Sequence, residues 1–226
     1  MKICHGSIVG KDHWATQTPH GLMPIGKNNQ DSCGYTETEH HALAVVADGC
    51  GSGEHTEFAS KLVVQRLVEC VNLGYSEIGI FAGMLNQVFK QAYRLFEPGA
   101  KTVNDYFLCT VLGILVDKTE QQVTIFGCGD GVFATNGMGV ELVSPGNAPN
   151  YLGYNLLSPG KCALKVYERG GFELLPAIVG TDGLSELSGW AQKYPGWVDK
   201  NANLTRIFRL AHGSLHDDTT AVGIGF

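Results

Sequence analysis

The feature that most constrains the fold is an apolar segment that ends in an aspartate and then breaks into glycines. Residues 43–47 are apolar, Asp48 follows them, and three glycines fall within the next five residues. An apolar-periodic stretch over residues 55–73 comes next, so the region predicts a strand, a sharp loop and a helix. The glycines permit positive φ and close approach of a ligand. A carboxylate beside loop carbonyls suits a hard cation, although an ordinary Asp-Gly turn would give the same pattern.

Length and composition indicate one globular domain over residues 1–226. Hydrophobic residues make up 44% of the chain and charged residues 17%, which is typical of a soluble protein with a sizeable core. The net charge of −6 disfavours nucleic acid and anionic membranes as partners. No apolar run is long enough to span a bilayer. We therefore expect binding to neither nucleic acid nor membrane. The expected oligomeric state is a monomer.

The cysteines indicate a reducing compartment. There are seven of them, scattered along the chain without a Cys-x-x-Cys pair, and the sequence opens without a signal-peptide pattern. Free thiols in such a protein are typical of the cytoplasm, and most are expected to be buried as small apolar side chains.

Periodicity predicts many strands in the middle of the chain and helices in pairs. The expected strands cover residues 1–9, 31–35, 43–48, 106–116, 122–127, 132–135, 140–143, 162–168, 176–180 and 221–226. The expected helices cover 55–73, 76–96 with Ser76 as N-cap, a stretch from about 184, and 203–211. Residues 11–29 and 144–161 are expected to be irregular loops. This mixture favours an α+β protein built from layers of sheet and helix.

Five aspartates share one setting, at the edge of a predicted strand and mostly beside glycine or another acid. Strand ends meet at a rim of a sheet, so acids far apart in sequence can come together there. Gathered carboxylates repel one another unless cations neutralise them. A set of oxygen donors without His or Cys spacing favours Mg²⁺ or Mn²⁺ over zinc. The five acids are Asp31, Asp48, Asp130, Asp182 and Asp217.

The order of the motifs around these acids resembles that of the metal-dependent serine/threonine protein phosphatases of type 2C, in their small bacterial form. The matching pieces span nearly the whole chain and are Asn29-Gln30-Asp31, Ala47-Asp48-Gly49-Cys50-Gly51-Ser52-Gly53, Gly127-Cys128-Gly129-Asp130, Thr181-Asp182-Gly183 and Asp217-Asp218-Thr219-Thr220. Each piece alone is a weak signal because Asp-Gly is common. All five in the family's order make a specific one.

The resemblance implies a fold and an activity. The fold would be a four-layer α-β-β-α sandwich, with two central antiparallel sheets flanked by helices and a metal site at one rim of the sheets. The activity would be hydrolysis of phosphoserine and phosphothreonine in a phosphorylated protein substrate. Two Mg²⁺ or Mn²⁺ ions would activate a shared water for in-line attack, so no nucleophilic Ser or Cys is needed.

The resemblance also implies a role for each acid. Asp48 would bridge the two ions and the Gly49 carbonyl would bind one of them. Asp182 and Asp217 would hold the other ion, and Asp31 would contribute through bound water. Asp130, with Asp182, would form a weaker third site. Asp218 stands where asparagine is usual and is expected to be structural.

The sequence departs from the family at the phosphate-binding position. An arginine is common five residues before the first motif aspartate, and here that position is Gly26. Lys27 is the predicted substitute, with Lys11 as an alternative, and a lysine would supply a point charge in place of a bidentate fork.

A second departure concerns the leaving group. Some relatives carry a histidine after Asp-Gly as general acid, and Cys50 occupies that place. His13 and His55 are the candidates to replace it, although a surface or structural role explains each of them as well. Cys50 itself is interpreted as a small packing residue.

Two other functions fit parts of the sequence. One is a catalytically silent relative that binds phosphoproteins as a regulator, which the missing arginine favours and the full acid set disfavours. The other is a nucleotide-binding module, because residues 21–28 nearly match a P-loop. That segment lacks the final Ser/Thr and a hydrophobic strand leading into it.

Overall fold

The regular elements alternate between strands and helices in a mixed order. The computed structural model describes residues 1–18, 21–24 and 28–226. In chain order the elements are β1 (Lys2–Ile8), α1 (Lys11–Trp14), β2 (Ala15–Thr18), β3 (Gly21–Pro24), β4 (Ser32–Glu37), β5 (His41–Ala47), α2 (Glu57–Asn72), α3 (Ile78–Tyr93), α4 (Ala100–Tyr106), β6 (Val111–Asp117), β7 (Gln122–Cys128), β8 (Gly131–Thr135), β9 (Met138–Leu142), β10 (Lys165–Gly171), β11 (Ala177–Gly180), α5 (Trp190–Asp199), α6 (Leu204–Ala211) and β12 (Thr219–Gly225). Short 3₁₀ turns include Leu152–Leu156 and Asp182–Glu186.

Ten of these strands form two antiparallel sheets. One sheet has the order β1-β12-β11-β8-β9 and the other has the order β10-β7-β6-β5-β4. Strands β2 and β3 form a separate two-stranded sheet in the described part of the chain. In β5, β6 and β7 almost every residue is buried, because both faces of these strands are covered.

Three apolar clusters fill the spaces between four layers. The middle cluster joins the two sheets and includes Val46, Ile114 and Val179. A second packs α2 and α3 on one sheet around Leu67 and Phe107. The third packs α5 and α6 on the other sheet. The predicted α-β-β-α sandwich with two central antiparallel sheets is therefore confirmed.

The chain between β1 and β4 differs from the sequence prediction. Residues 11–29 were expected to be an irregular loop because of their prolines and glycines. The described part instead contains α1 and the β2–β3 hairpin, in which Ala15 pairs with Pro24 and Thr18 with Gly21. Proline and glycine stand at the ends of the short strand β3, where they do not interrupt its pairing.

Three helix predictions also need correction. The expected N-cap Ser76 is displaced by Glu77, which makes no side-chain capping bond. Helix α4 follows Pro98-Gly99, where only the end of a helix was predicted. The helix expected from about residue 184 starts at Trp190, because residues 182–186 form a 3₁₀ turn.

Among the described residues, no helix combines the length and apolar composition needed to cross a membrane.

Candidate metal centre

Strand register brings the predicted acids to one rim. Ser32 pairs with Ala47, so Asp31 and Asp48 lie at the same end of the β4–β5 ladder. Gly180 of β11 pairs with Val132 of β8 on one side and with Ala221 of β12 on the other. Asp130 precedes β8, Asp182 follows β11 and Asp217 precedes β12, so these three acids also share one end of their sheet.

Asp31 and Asp48 influence each other strongly. Burial raises the pKa of Asp31 to about 8, with repulsion from Asp218 and Asp217 adding to the effect. Burial also raises the pKa of Asp48 well above its ordinary value, and Asp31, Asp182 and Asp217 all add repulsion. Asp48, which follows β5, therefore lies within electrostatic reach of acids from both sheets.

The other three acids belong to the same network. Burial raises the pKa of Asp182 to about 6, followed by repulsion from Asp217 and Asp130. Asp217 stands at the exposed edge of the cluster, and partial burial of its carboxyl raises its pKa while His13 opposes the rise. Burial raises the pKa of Asp130, and a hydrogen bond from Ser144 opposes the rise. The five aspartates thus form one cluster of mutually repelling carboxyl groups.

Two oxygens of this cluster have no donor. Asp31 Oδ1 and Asp182 Oδ1 are buried, and no described group donates a hydrogen bond to either. The other oxygen of Asp31 accepts from the Thr181 hydroxyl at 2.8 Å. A buried carboxylate oxygen without a donor is costly unless a proton or a cation sits beside it. The donor set is oxygen only, apart from His13, and fits Mg²⁺ or Mn²⁺.

The loop after Asp48 is shaped by close backbone approach. A Cβ at Gly49 would lie 2.7 Å from the Gln30 carbonyl oxygen and 2.9 Å from the Thr56 backbone. None of the positive-φ glycines in the described chain lies at Gly49, Gly51 or Gly53. The expectation that these glycines supply positive φ is therefore wrong. Gly49 and Gly53 leave room for close neighbours, whereas a Cβ at Gly51 would meet its nearest atom only at 3.5 Å.

The turn around Asp130 does use left-handed glycines. Gly129 and Gly131 have φ of 101° and 130°, so they flank the acid with conformations that L side chains rarely adopt. A cavity of about 360 Å³ opens here and is lined by Asp130, Asp182, Glu141 and neighbouring residues.

Asp218 is held entirely by the protein. Its Oδ1 accepts the Gly10 N–H at 2.9 Å and its Oδ2 accepts the Gln30 N–H at 2.8 Å. His13 Nδ1 lies 3.0 Å from Oδ1, and His13 Nε2 lies 3.8 Å from Asp217. His13, Asp217 and Asp218 are close enough together to share one ion. The contacts of Asp218 agree with the predicted structural role, and His13 stands at the edge of the acid cluster.

The other polar candidates contact different groups. The ring of His55 lies 5.1 Å from that of Tyr106, and its Nδ1 is 4.0 Å from Glu57. Cys50 packs against the core beside α2, as predicted for a small packing residue. Lys27 and Gly26 lie outside the described residues. Residues 28–31 lead into strand β4, so the near-P-loop at 21–28 lacks the helix that would bind phosphate.

Three residues contribute to the site without having been assigned a role from the sequence. Gln30 is buried, and its Nε2 donates to the Gly53 carbonyl at 3.0 Å and to Thr56 Oγ1 at 2.8 Å. These bonds join the segment before β4 to the loop between β5 and α2. Thr181 orients Asp31, and Tyr151 interacts with Asp48 and Asp130. Gln30 and Thr181 stand directly before motif aspartates, and this position in the sequence could have identified them. Tyr151 had none, because it lies in a long aperiodic segment.

The sequence matches the family described as Protein phosphatase 2C over residues 24–152, which is more than half of the chain. The chain belongs to the protein phosphatase 2C family. No curated protein matches it by sequence.

Solved structures share the type 2C fold. Serine/threonine phosphatase Stp1 from Staphylococcus aureus matches with a TM-score of 0.66 at 14% identity, covering 100% of this chain and 95% of that one. RsbX in complex with magnesium matches with a TM-score of 0.55 at 16% identity, covering 96% and 97%. The phosphatase domain of SpoIIE from Bacillus subtilis, with a fragment of its regulatory domain, matches at 0.58 and 15%, covering 100% and 64%.

Proposed function

We propose that this type 2C protein is a Mg²⁺- or Mn²⁺-dependent phosphatase that hydrolyses phosphoserine and phosphothreonine in protein substrates. The observation that carries the proposal is the cluster of five aspartates at one rim, in which burial raises the pKa of every carboxyl group and repulsion between neighbours adds to the rise for Asp31, Asp48, Asp182 and Asp217. Such a cluster is tolerable in a folded protein when cations balance its charge. Family membership and the magnesium held by RsbX support the choice of ion.

The proposed ligands follow the motifs. Asp48 and the Gly49 carbonyl would hold ions together with Asp182 and Asp217, and Asp31 would act through water. Asp130 would hold a third ion with Asp182. When bound, the ions would supply positive charge that lowers the pKa of a water and offsets the charge of the phosphoryl group.

The protein's own part is to position these oxygens. The Thr181 hydroxyl binds one oxygen of Asp31, so the other stays available at the centre of the cluster. Gln30 ties the loop after Asp48 to the start of α2 through its side chain, and its carbonyl accepts the Gly49 N–H at 3.2 Å. Phosphoryl transfer depends mainly on such positioning and on charge stabilisation.

The expected phosphate-binding residue differs from that of the family. Lys27 takes the place of the arginine that commonly binds the phosphate. The substrate is a phosphorylated protein, and the acting unit is one domain over residues 1–226 in monomeric form.

The experiment is hydrolysis of a generic aryl phosphate with and without Mn²⁺, comparing wild type with Asp48→Asn. We expect turnover that requires the metal and collapses in the variant, by about 10²-fold or more, because charge stabilisation of this kind is worth several kcal/mol. Asp117→Asn, at the end of β6, is the matched control and should keep wild-type turnover. Circular dichroism checks that each variant is folded.

Each other outcome has a meaning. Absence of turnover in all three proteins, with the metal bound, would contradict the enzyme and support the silent phosphoprotein-binding regulator. Turnover without added metal in chelator-treated protein would contradict both.

A further inference from the structure

Strand β9 leaves one edge of its sheet open beside the acid cluster. It is the last strand in the order β1-β12-β11-β8-β9, and in the described part of the chain no strand pairs with its outer side. Met138 and Val140 of this strand are exposed, and so is Val143, which follows it closely. An open edge with exposed apolar side chains readily pairs with another chain. This edge is therefore a candidate surface for binding an extended peptide.

The outer strands β1 and β10 differ from β9 in this respect. The outer side of β1 is covered, because Ile3 and Ser7 donate their backbone N–H groups to side chains of the segment 201–205. Strand β10 carries a bulge between Val166 and Glu168, and a bulge is one way in which proteins protect an edge. The pairing of β9 with β8 is regular over all of its five residues. Strand β9 thus keeps the straight edge that an added strand needs.

Two residues of β9 direct their backbone N–H and C=O groups outward. Thr135 and Met138 flank the two-residue turn of the β8–β9 hairpin, so this pair carries hydrogen bonds between the two strands. Bonded and non-bonded pairs alternate along an antiparallel ladder. Gly139 and Glu141 therefore belong to non-bonded pairs, and their backbone groups point away from β8. These are the groups to which an added strand would bond.

The side chains of β9 indicate what the added strand would carry. Successive side chains of a strand point to opposite faces, so Met138 and Val140 lie on opposite sides from Gly139 and Glu141, respectively. Glu141 lines the cavity beside Asp130, and no Lys, Arg or His stands among the described residues that line it. Opposite charges on neighbouring strands attract each other. A strand with apolar side chains on one face and basic side chains on the other would therefore complement β9.

We propose that the outer edge of β9 binds an extended segment of the phosphoprotein substrate, with alternating apolar and basic side chains, as an added β-strand. This binding mode rests on the proposed function and names what the protein contacts beyond the phosphorylated residue. Leu142 of β9 pairs with Gly131, the neighbour of Asp130, so the added strand would pass beside the acid cluster. Three or four extended residues span about 10–14 Å. That length crosses β9 and β8, at roughly 4.8 Å for each strand.

The test measures amide exchange in β9 by residue-resolved NMR. The probe is an unphosphorylated peptide that contains Val-Lys-Val-Lys-Val, added to the whole chain in the presence of chelator. We expect the exchange of the Gly139 and Glu141 N–H groups to slow about tenfold when the peptide occupies about 90% of the protein. The N–H of Val140 should change less, because it is already bonded to β8.

Two matched peptides test the backbone pairing without changing the protein. One carries N-methyl groups on the valines and the other carries them on the lysines. Alternate residues of an added strand direct their N–H groups toward β9, so only one of the two isomers should lose binding. Equal affinity of the two isomers would overturn the proposal.

A third peptide tests the charge. Val-Glu-Val-Glu-Val should bind about fivefold more weakly than the lysine peptide, because attraction across the strands becomes repulsion. Glu141→Gln should reduce this difference, and circular dichroism checks that the variant is folded. Equal affinities of the two peptides for the wild type would overturn the basic character of the segment.

Two further results would overturn the proposal. One is unchanged exchange of Gly139 and Glu141 at millimolar peptide. The other is exchange of these amides that is already slow in the free protein and depends on protein concentration, because a second copy of the chain would then occupy the edge.

Hydrolysis of phosphoserine peptides tests the link to the substrate. With Mg²⁺, the peptide that carries Val-Lys-Val-Lys-Val four residues from the phosphoserine should have a KM about tenfold below that of its isomer Lys-Lys-Val-Val-Val, at similar kcat. Equal KM values would overturn the role of this edge in substrate binding. Amide exchange needs no turnover, so a failure of peptide binding is distinguished from a failure of the proposed phosphatase activity.

Discussion

Asp31 and Asp218 are both buried carboxyl groups, and they differ in what their oxygens contact. Both oxygens of Asp218 accept backbone N–H groups, so the protein itself satisfies this side chain. Asp31 accepts from Thr181 on one oxygen only, and its other oxygen has no donor among the described residues. The first arrangement is typical of a structural aspartate. The second calls for a proton or a cation.

Removing Asp218 should therefore cost stability. In Asp218→Ala the buried N–H groups of Gly10 and Gln30 lose their acceptor, at about 1–3 kcal/mol for each group left unpaired. Asp117→Ala is a matched control, because Asp117 also accepts two backbone N–H groups but in an exposed turn. Urea unfolding in the presence of chelator measures both. Equal losses in the two variants would contradict the structural role of Asp218.

The proposed phosphate-binding role of Lys27 has a kinetic signature. Lys27→Ala should raise KM about tenfold, equivalent to roughly 1.4 kcal/mol, with a smaller change in kcat, because the lysine would bind phosphate in the ground state. Lys11→Ala is the comparison, since Lys11 was the alternative and its Nζ is 3.4 Å from the Gly213 carbonyl oxygen. Unchanged kinetics in Lys27→Ala would remove that residue from the site.

Among the elements, it is the pairing of strands that assembles the site. Asp31 and Asp48 lie next to the ends of two neighbouring strands of one sheet. Asp130, Asp182 and Asp217 lie next to the ends of three neighbouring strands of the other. Short loops at that end hold the acids where the strands stop. Changes that shift these loops should alter the site even when no acid is touched.

Gly49→Ala tests this at the loop after β5. The added Cβ would meet the Gln30 carbonyl oxygen at 2.7 Å, so the loop must move and stability should fall by about 1–3 kcal/mol. Gly79→Ala in α3 is the matched control. Its Cβ would meet nothing within 4 Å, and alanine in a helix should stabilise by about 0.5–1 kcal/mol. Thermal unfolding measures whether stability falls in Gly49→Ala and rises in Gly79→Ala. Unchanged stability in Gly49→Ala would contradict the claim that Gly49 is needed for close backbone approach.

The elements that the sequence predicts well have a strong period or a clear turn. The β8–β9 hairpin is an example, because Asn136-Gly137 takes positive φ at both residues, as the turn requires. Helix α4 could not be predicted, since it has seven residues and buries only Val103. Hairpin β2–β3 is equally short. Tyr151 reaches the acids only through the tertiary fold, so no local pattern marks it.

For the whole molecule, the acid cluster links stability to pH and to metal. Asp31 has its pKa raised to about 8 and Asp182 to about 6, from ordinary values of 3.8. Between the ordinary pKa and the raised pKa of each group, its carboxyl stays protonated in the folded protein and is ionised in the unfolded chain. The free energy of unfolding of the metal-free protein should therefore decrease as pH rises from about 4 to about 8.

Divalent ions should reverse this trend. Mg²⁺ or Mn²⁺ should raise the unfolding temperature more at a pH of about 8 than at about 6, because the carboxyl groups are then ionised and free to bind. Thermal scans with metal and with chelator at each pH measure the difference. Asp48→Asn should show a smaller response to metal. A metal-free protein whose stability rises steadily across this window would contradict the account.

The most direct measurement is anomalous diffraction from crystals soaked in Mn²⁺. The account predicts at least two anomalous peaks among the carboxyl groups of Asp48, Asp182 and Asp217, with a weaker third near Asp130. Crystals of Asp48→Asn should lose the peak that Asp48 shares. Well-diffracting wild-type crystals without any peak in this cluster would contradict the claim that these acids are gathered to hold metal.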